Sequence, residues 1–221
     1  MCGRYRRTTA EEEIARQYHI PMPPQLDLPI SYNIAPSQNV LAIRKDSQTG
    51  IHKFDVFRWG LIPNWSKDER IAYETINARV ETIDTAPAYR AAFRKYRCLI
   101  PADGYYEWKR AGSGKQPYSI QREDGTLFCF AGLWERWKKP RSEDWLRTCT
   151  IVTCEANELT REIHTRMPVI LPEEYFQGWL SGSMGKEILR PYPSDLMSAY
   201  PISQRVNNPV NNDAGILRAE T

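Results

Sequence analysis

RCLIPADGYYEWKRAGSGKQPYSIQREDGTLFCFAGLWE, residues 97–135, is the stretch that decides the fold. Apolar and aromatic residues recur within it in four short runs, at 97–100, 104–109, 118–122 and 127–134. Between the third and fourth runs stand Asp124 and Gly125, a pair typical of a tight turn. Short runs of this composition, separated by turn residues, predict β-strands.

The flanking sequence extends this pattern on both sides. Residues 40–44 and 54–59 alternate apolar and polar positions around a turn near Gly50, which predicts a hairpin, and residues 147–153 and 169–171 predict further strands. Short helices are predicted at 9–18, 86–96, 157–163 and 172–179. The first of them should begin with a capping box, in which Thr9 and Glu12 satisfy free backbone donors.

Two segments lack a regular pattern. The proline-rich residues 21–29 predict a connector, and the tail from Tyr192 onward predicts irregular structure. Strands dominate the middle of the chain and the helices are short. The sequence therefore predicts an α+β fold, with a single domain over residues 1–221, a mainly antiparallel, partly closed, barrel-like β-sheet and short peripheral helices.

Composition excludes several protein classes. Of the 221 residues, 41% are hydrophobic and 26% are charged, which is ordinary for a globular domain. The sequence contains no run of eighteen apolar residues and no apolar stretch behind its N-terminal arginines, so neither a membrane span nor a secretory signal is predicted. We therefore expect a cytoplasmic protein, associated with the nucleoid if it is bacterial. The net charge of +3 is compatible with nucleic-acid binding without requiring it.

The five cysteines separate into two kinds. Cys98, Cys129, Cys149 and Cys154 lie in apolar stretches and are most simply small core residues. No Cys-x-x-Cys pair exists and the three histidines are scattered, so the sequence predicts no metal site and no cofactor. Cys2 differs, because it stands at the extreme end of the chain where no packing pattern explains it.

Cys2 has a specific chemistry if Met1 is removed, as expected before a small side chain. The chain then begins with a 1,2-aminothiol, whose α-amine is partly neutral at pH 7. Such a pair condenses with an aldehyde, first to a Schiff base and then to a five-membered thiazolidine ring. We expect the arginines that follow Cys2 to lower the pKa of its thiol. The alternative is that Cys2 is an incidental terminal residue.

Three other segments hold residue types suited to catalysis or binding. Asn77 and Arg79 share a face if their segment is extended, and the alternative is a polar surface. Glu107 lies among aromatic residues that would raise its pKa and suit it to proton transfer, and the alternative is an exposed strand carboxylate. His164 follows a predicted helix, where a structural role is the alternative to catalysis.

The sequence resembles the SRAP family, the SOS-response-associated peptidase domain, through motifs that occur in the family's order and cover most of the chain. They are MCGRY at 1–5, YNIAPSQ at 32–38, WGLIPNW at 59–65, INARVET at 76–82, CLIPADGYYEWK at 98–109, AGLWE at 131–135 and IHTRMPVIL at 163–171. The tail PISQRVNNPVNND also looks similar to the family's. No motif departs from the family's pattern at the catalytic positions.

The resemblance implies covalent capture of abasic sites in DNA, which shields the lesion during the DNA damage response. Cys2 would form the thiazolidine with the ring-opened sugar, and Asn77 would hold the sugar. Glu107 would move protons during Schiff-base formation and crosslink reversal, and His164 would assist ring opening. The protein would thus be an enzyme with lyase-like chemistry and possible self-processing of the peptidase type.

The resemblance also implies a DNA-binding set. Arg79 and Arg166 would bind flanking phosphates, as would Arg4, and the loop carrying Pro63 and Trp65 would pack beside the bases and help exclude duplex. Asn33 of YNIAPSQ belongs to the same set. The implied partner is single-stranded DNA with an abasic site, or its junction with duplex. We expect a monomer that acts away from membranes.

Three other functions stay open at this point. A thiol peptidase or autopeptidase would use Cys2 and His164 as nucleophile and base. An N-terminal-nucleophile amidotransferase would also begin with Cys-Gly, although the sequence offers no second domain to use the ammonia. A non-catalytic single-stranded DNA-binding module would explain the arginines and leave Cys2 without a role.

Overall fold

Strands make up most of the regular structure in the computed structural model, which describes residues 2–22, 28–112 and 114–219. The strands are β1 (Tyr5–Arg7), β2 (Ser31–Ile34), β3 (Asn39–Lys45), β4 (His52–Trp59), β5 (Asn77–Arg79), β6 (Arg97–Ala102), β7 (Gly104–Ala111), β8 (Gly114–Arg122), β9 (Phe128–Lys138), β10 (Trp145–Glu155), β11 (Arg166–Pro168), β12 (Ile170–Leu171) and β13 (Met197–Pro201). The α-helices are α1 (Glu11–Gln17), α2 (Arg90–Lys95), α3 (Glu158–Arg161) and α4 (Phe176–Ser181). Within these ranges, no helix is long and apolar enough to span a membrane.

Five strands close into a ring. The hairpin β3–β4 pairs through β3 with β6, β6 pairs with β9, β9 with β10, and β10 returns to β4. All of these pairings are antiparallel except β10 with β4, which is parallel and short. Buried side chains from the ring, among them Leu41, Leu99, Leu133 and Ile151, belong to the main hydrophobic core. The predicted α+β fold with a partly closed, mainly antiparallel sheet is confirmed.

A second sheet of five strands lies against this ring, in the order β13-β8-β7-β1-β2. Its pairings are antiparallel throughout. Tyr5 of β1 packs edge-to-face against Trp59 of β4 and Phe130 of β9, with ring centroids 5.5 and 5.7 Å apart. Burying three aromatic rings at one contact stabilises the packing of the two sheets and fixes the chain next to Cys2.

Two short strands flank the C-terminal half of β10. Asn77–Arg79 of β5 runs parallel to residues 151–153, and Arg166–Pro168 of β11 runs antiparallel to residues 153–155. The INAR and HTRMP motifs, which are almost ninety residues apart in sequence, are therefore brought to the same end of one strand. The pairing of β5 and of β11 with β10 joins segments that are separated in sequence, so the local sequence pattern did not predict it.

Several local predictions differ from the structure. The capping box is wrong: Ala10 is the N-cap of α1 and makes no side-chain cap, while the Thr9 hydroxyl donates to Asp103 at 2.5 Å. The helix predicted at 86–96 is shorter in the structure, Arg90–Lys95, and is preceded by a turn in which the N–H groups of Tyr89 and Arg90 both donate to the Ala86 carbonyl. The tail contains β13, which pairs with β8 and was not predicted. Most of the connector predicted at 21–29 lies outside the described residues, as does Met1, whose removal was predicted.

Candidate functional site

Cys2 is fully buried and is held by its own main chain. Its carbonyl oxygen accepts a hydrogen bond from Asn77 Nδ2 at 2.8 Å. It stands just before β1, so the pairing of β1 with its neighbours sets the course of the backbone on which it lies. The Asn77 amide thus links the N-terminal segment directly to β5 and the end of β10.

Glu107 lies beside Cys2 because of the register between β1 and β7. Tyr5 is opposite Tyr105 and Arg6 is opposite Gly104, so the same register continues to place Glu107 opposite Gly3. The carboxyl group is buried, and burial raises its pKa above the ordinary range for a glutamate. The sequence left an exposed strand carboxylate as the alternative for Glu107, and the structure excludes that alternative.

The Cys2 thiol has a raised pKa instead of the lowered one expected from nearby arginines. Burial is the main cause, and the negative charge of Glu107 adds to it. The Arg4 guanidinium does not face the thiol, because it is engaged elsewhere. At neutral pH the thiol is therefore protonated, and a reaction at sulfur needs a group that accepts its proton.

His164 completes the cluster around Glu107. Its positive form lowers the pKa of Glu107, which indicates that the two side chains are close. The main-chain N–H of Arg166 donates to His164 Nδ1 at 3.0 Å. Nδ1 also lies 3.3 Å from the Arg166 carbonyl oxygen, but the amide contact is shorter and an amide can only donate, so we assign the proton of the neutral ring to Nε2. The ring is half-buried.

Asn77 has a second polar atom turned into the interior. Its Oδ1 is buried and finds no hydrogen-bond partner among the described residues. Its main-chain carbonyl accepts a hydrogen bond from the hydroxyl of Tyr89 at 2.9 Å. An acceptor that is buried and unpaired costs free energy, so this atom is available to a bound hydroxyl group.

Arg79 and Arg166 lie on either side of β10 near Thr153. Arg79 is exposed and sits opposite Thr153 in the parallel pairing of β5. Arg166 donates to the Thr153 carbonyl at 2.7 Å and forms a bidentate pair with Glu81, with distances of 2.5 and 3.0 Å. The two guanidiniums therefore differ: among the described residues, only Arg166 forms an ion pair with a carboxylate.

Arg4 and Asn33 are used inside the protein. Arg4 Nη1 donates to Asn33 Oδ1 at 2.8 Å and to the Val206 carbonyl at 2.7 Å. Asn33 Nδ2 in turn lies 3.3, 3.1 and 2.7 Å from the carbonyl oxygens of Val206, Asn208 and Asn211. This pair fastens the C-terminal tail to β1 and β2, and DNA binding by either residue stays a prediction.

The loop after β4 presents an aromatic side chain to solvent. Pro63 is buried, whereas Trp65 is 57% exposed and anchors its ring N–H weakly to the Pro87 carbonyl at 3.4 Å. An indole ring held in this way offers a flat face for stacking. The structure therefore assigns different tasks to the two residues, packing to Pro63 and exposure to Trp65.

Three residues near the site were missed by the sequence analysis. The sequence predicted Tyr89 only as part of the helix at 86–96, Glu81 only as part of the INARVET motif, and Tyr105 only as part of the strand at 104–109. Tyr105 is fully buried, its hydroxyl has no partner among the described residues, and its pKa is raised by burial and by the charges of Cys2 and Glu107. Only Glu81 had a usable signal, because it lies two residues from Arg79 in the INARVET motif; in the structure it stands in the turn that follows β5.

Metal ligands and disulfides are absent from the described part of the chain. No group of three or more histidine, cysteine or acidic side chains there could hold a metal ion. All five cysteines are free and buried. The reactive side chains gathered at this site are the Cys2 thiol, the Glu107 carboxyl group, the His164 imidazole and the Asn77 amide.

Comparisons with known proteins agree on one family. Abasic site processing protein YoaM of Bacillus subtilis (strain 168) is 45% identical over 227 residues, which cover 100% of this chain and 99% of that protein. Abasic site processing protein HMCES of Xenopus tropicalis is 33% identical over 220 residues, covering 86% of this chain and 66% of that protein. A crystal structure of a protein from Bacteroides thetaiotaomicron superposes with a TM-score of 0.87 at 30% identity and covers both chains fully. The family model for SOS response associated peptidase (SRAP) matches residues 1–209, so the chain belongs to the SRAP family.

Proposed function

We propose that this protein processes abasic sites in DNA by capturing them covalently on Cys2. The relatives named above are abasic site processing proteins, which supports the substrate. One observation carries the mechanism: the Asn77 amide holds the Cys2 carbonyl beside the buried carboxyl group of Glu107, which in turn lies near His164. Nucleophile, proton acceptor and proton donor thus lie in one cluster.

The reaction needs the α-amine of Cys2, which exists only after Met1 is removed. The amine attacks the C1 aldehyde of the ring-opened sugar, and the carbinolamine loses one water to give an imine. The thiol then adds across the C=N bond, with sulfur bonding to carbon and a proton passing to nitrogen. The net product is a thiazolidine, formed with the loss of one water and without an oxidant or a metal.

Each neighbour has a task in this sequence. Glu107 accepts the thiol proton, which the raised pKa of Cys2 otherwise retains, and its own raised pKa brings it closer to neutral pH, where proton transfer is most effective. His164 carries a proton on Nε2 when it is neutral and delivers it to the sugar ring oxygen during opening. The unpaired Asn77 Oδ1 accepts a hydrogen bond from a sugar hydroxyl.

The DNA-binding set favours a single strand. Arg79 and Arg166 bind the phosphates that flank the lesion, and the exposed ring of Trp65 stacks on a neighbouring base, an interaction worth about 1–3 kcal/mol per base. The missing base lowers the cost of moving the sugar into the site, because nothing is unstacked. All of these groups belong to one chain, so we expect a monomer to be active.

A thiol peptidase is the less favoured function. Its nucleophile is a thiolate, and both burial and Glu107 disfavour that form of Cys2. Peptide cleavage also leaves the unpaired Asn77 acceptor and the exposed Arg79 without a role. A module that only binds DNA leaves the buried cluster around Cys2 without a role.

The test is the intact mass of the Met1-processed protein after reaction with a single-stranded oligonucleotide that carries one abasic site. We expect one adduct with the mass of protein plus DNA minus one water, mapped to Cys2. Absence of an adduct, with removal of Met1 verified by mass, would contradict covalent capture.

Two variants separate the amine from the thiol. Cys2→Ala keeps an α-amine, so we expect a Schiff base that borohydride traps, and no stable adduct without the reductant. Cys129→Ala, which removes a buried cysteine from the core, is the matched control and should retain the stable adduct. A stable adduct on Cys2→Ala would show that sulfur is not required.

A further inference from the structure

A basic strip lies at the opposite end of β10 from the candidate site. We define it by Arg58, Arg136, Trp145 and Arg147, which line one cleft of about 390 Å³. Arg136 also lines an adjoining cleft of about 780 Å³, together with Arg44, Lys45, Lys95 and Arg97. Asp46 is the one described carboxylate that lines either cleft.

Arg136 and Arg147 form a like-charged pair across two strands. They are directly opposite in the antiparallel pairing of β9 with β10. Side chains in that position start about 4.5–5.5 Å apart at Cβ, and two like charges there destabilise the sheet. Asp55 offsets part of this repulsion by pairing with Arg147, and a bound anion between the guanidiniums would offset the rest.

The charges of the strip are only partly neutralised. Arg147 donates to Asp55 at 3.0 Å and Arg58 lies 3.3 Å from Glu69. Arg136 makes no ion pair within the described residues, and its guanidinium lies 4.7 Å from the ring centroid of Trp145. The side chain is thus positioned by an aromatic ring and keeps its donors for a ligand.

Trp145 adds an exposed aromatic ring to the strip, which a site that binds only anions does not need. It is 55% exposed, although it stands at the start of a long paired strand where an apolar ring costs solvation. An exposed indole beside the guanidinium of Arg136, which makes no ion pair within the described residues, and two further arginines is a combination that suits single-stranded nucleic acid, since the ring stacks on a base and the cations bind phosphates. An acidic peptide would use the charges and leave the ring without a partner.

The strip and the candidate site lie along the same strand. Arg147 precedes Thr153 by six residues, which at roughly 3.3 Å per residue is about 20 Å along β10. Thr153 is the residue flanked by Arg79 and Arg166. A DNA strand that is held at the candidate site can therefore reach the strip only if it extends several nucleotides beyond the lesion.

We infer that the basic strip is a second binding surface for single-stranded DNA, which holds the strand that continues from the captured lesion. This inference rests on the proposed function for the identity of the strand. Arg136 and Arg147 bind its phosphates and Trp145 stacks on one of its bases. The surface lengthens the contact with DNA and takes no part in the chemistry at Cys2.

The test compares lesion-free oligonucleotides of about 3 and about 20 nucleotides; at roughly 3.4 Å per stacked nucleotide, only the longer spans the distance of about 20 Å between the two surfaces. For Arg136→Ala/Arg147→Ala we expect affinity for the long strand to fall about tenfold, and the slope of log K against log salt to shrink by about 1.4, because two phosphate contacts are lost. Affinity for the short strand should stay within about twofold. Trp145→Ala should weaken binding of the long strand by about fivefold or more.

Arg16→Ala/Arg218→Ala is the matched control, because it removes two exposed arginines that lie on other elements. Equal losses for the two double variants, or equal losses on short and long strands, would overturn the inference. A second outcome would also overturn the inference. If the long strand binds Trp145→Ala as tightly as the parent protein, and a base-free polyphosphate competes equally well for both proteins, the strip is a general surface for polyanions.

Covalent capture, measured separately from noncovalent binding, distinguishes failure of this inference from failure of the proposed function. Covalent capture of a short abasic oligonucleotide should be unchanged in Arg136→Ala/Arg147→Ala. If the parent protein captures no abasic site at all, the proposed function fails, while the dependence on strand length still tests the strip.

Discussion

At the scale of single residues, the site is governed by one buried carboxyl group next to a buried thiol. Glu107 raises the pKa of Cys2, and burial raises the pKa of Glu107 itself. The raised pKa of Cys2 was not predicted from the sequence, because it depends on which groups the fold removes from water. The sequence did predict that Glu107 would have a raised pKa, on the ground of its aromatic neighbours.

Glu107→Gln should slow capture by roughly 10²–10⁴-fold at neutral pH, because the thiol loses its proton acceptor. In the parent protein the rate should rise with pH as Glu107 ionises, above its ordinary pKa of 4.5, and the variant should lack this rise. The measurement is a pH profile of adduct formation by denaturing gel. The exposed Glu123→Gln is the control and should keep the parent profile.

Glu107→Gln should slow capture but make the folded protein more stable at neutral pH. Because the folded pKa of Glu107 is raised, its contribution to stability is fully present below the unfolded value of 4.5 and is lost as pH rises through the folded pKa. Glu107→Gln removes this loss, so the variant should unfold at a higher urea concentration than the parent at neutral pH. A variant that is less stable at neutral pH would contradict the buried, raised-pKa carboxyl group.

Glu81 predicts a second effect at this scale. Its carboxylate is 46% exposed and holds the Arg166 guanidinium, so a phosphate must compete with it. Glu81→Gln should bind a lesion-free short strand about two- to fivefold more tightly, and the salt slope should steepen by about 0.7, since one more phosphate can be neutralised. Fluorescence anisotropy checks this, with the exposed Glu12→Gln as control. Weaker binding would instead mean that Glu81 holds Arg166 in its binding orientation.

At the scale of elements, the C-terminal tail is part of the architecture of the site. Asn33 and Arg4 bind its carbonyls, and β13 extends the sheet that carries β1 and β7. The sequence predicted strands and hairpins where alternation is strong, such as the β3–β4 hairpin. It missed β13 because Pro193 and Pro201 suggest irregular structure, whereas the strand forms by pairing with β8 and includes Pro201 as its last residue.

Asn33→Ala should lower the free energy of unfolding by about 2–4 kcal/mol, because several buried carbonyls and the Arg4 guanidinium lose a partner together. Urea unfolding measures this loss, and the exposed Asn64→Ala should leave stability unchanged. The folded variant should still bind a short lesion-free strand within about twofold of the parent. If Asn33→Ala has the stability of the parent protein but binds DNA weakly, the DNA-binding role predicted for Asn33 from the sequence is supported instead.

At the scale of the whole molecule, the fold closes through a contact that no local pattern specifies. The parallel pairing of Arg58 and Trp59 with Thr148 and Cys149 completes the ring of five strands, across some ninety residues of sequence. Hydrophobic alternation indicates where a strand runs and which face is buried, but the choice of partner depends on packing across the core. The sequence therefore predicted a barrel-like sheet, but it did not predict that β10 and β4 are the strands whose pairing closes it.

The same core decides how many thiols can react. Cys98, Cys129, Cys149 and Cys154 are buried like Cys2, and burial raises the pKa of all five thiols, that of Cys154 to about 12. A thiol in this state is a poor nucleophile. In the unprocessed protein, an aromatic disulfide reagent should therefore label fewer than one thiol in the time that labels all five in denaturant.

After removal of Met1, we expect an aldehyde to modify one of the five cysteines, Cys2. Reaction of the processed protein with an aldehyde should consume Cys2, because the free α-amine captures the carbonyl first and delivers it to the neighbouring sulfur. The other four cysteines lack an adjacent amine and should stay unmodified in peptide maps. Fast labelling of any of these four in the native protein would mean that the core opens readily, and the specificity of capture would then need a source other than burial.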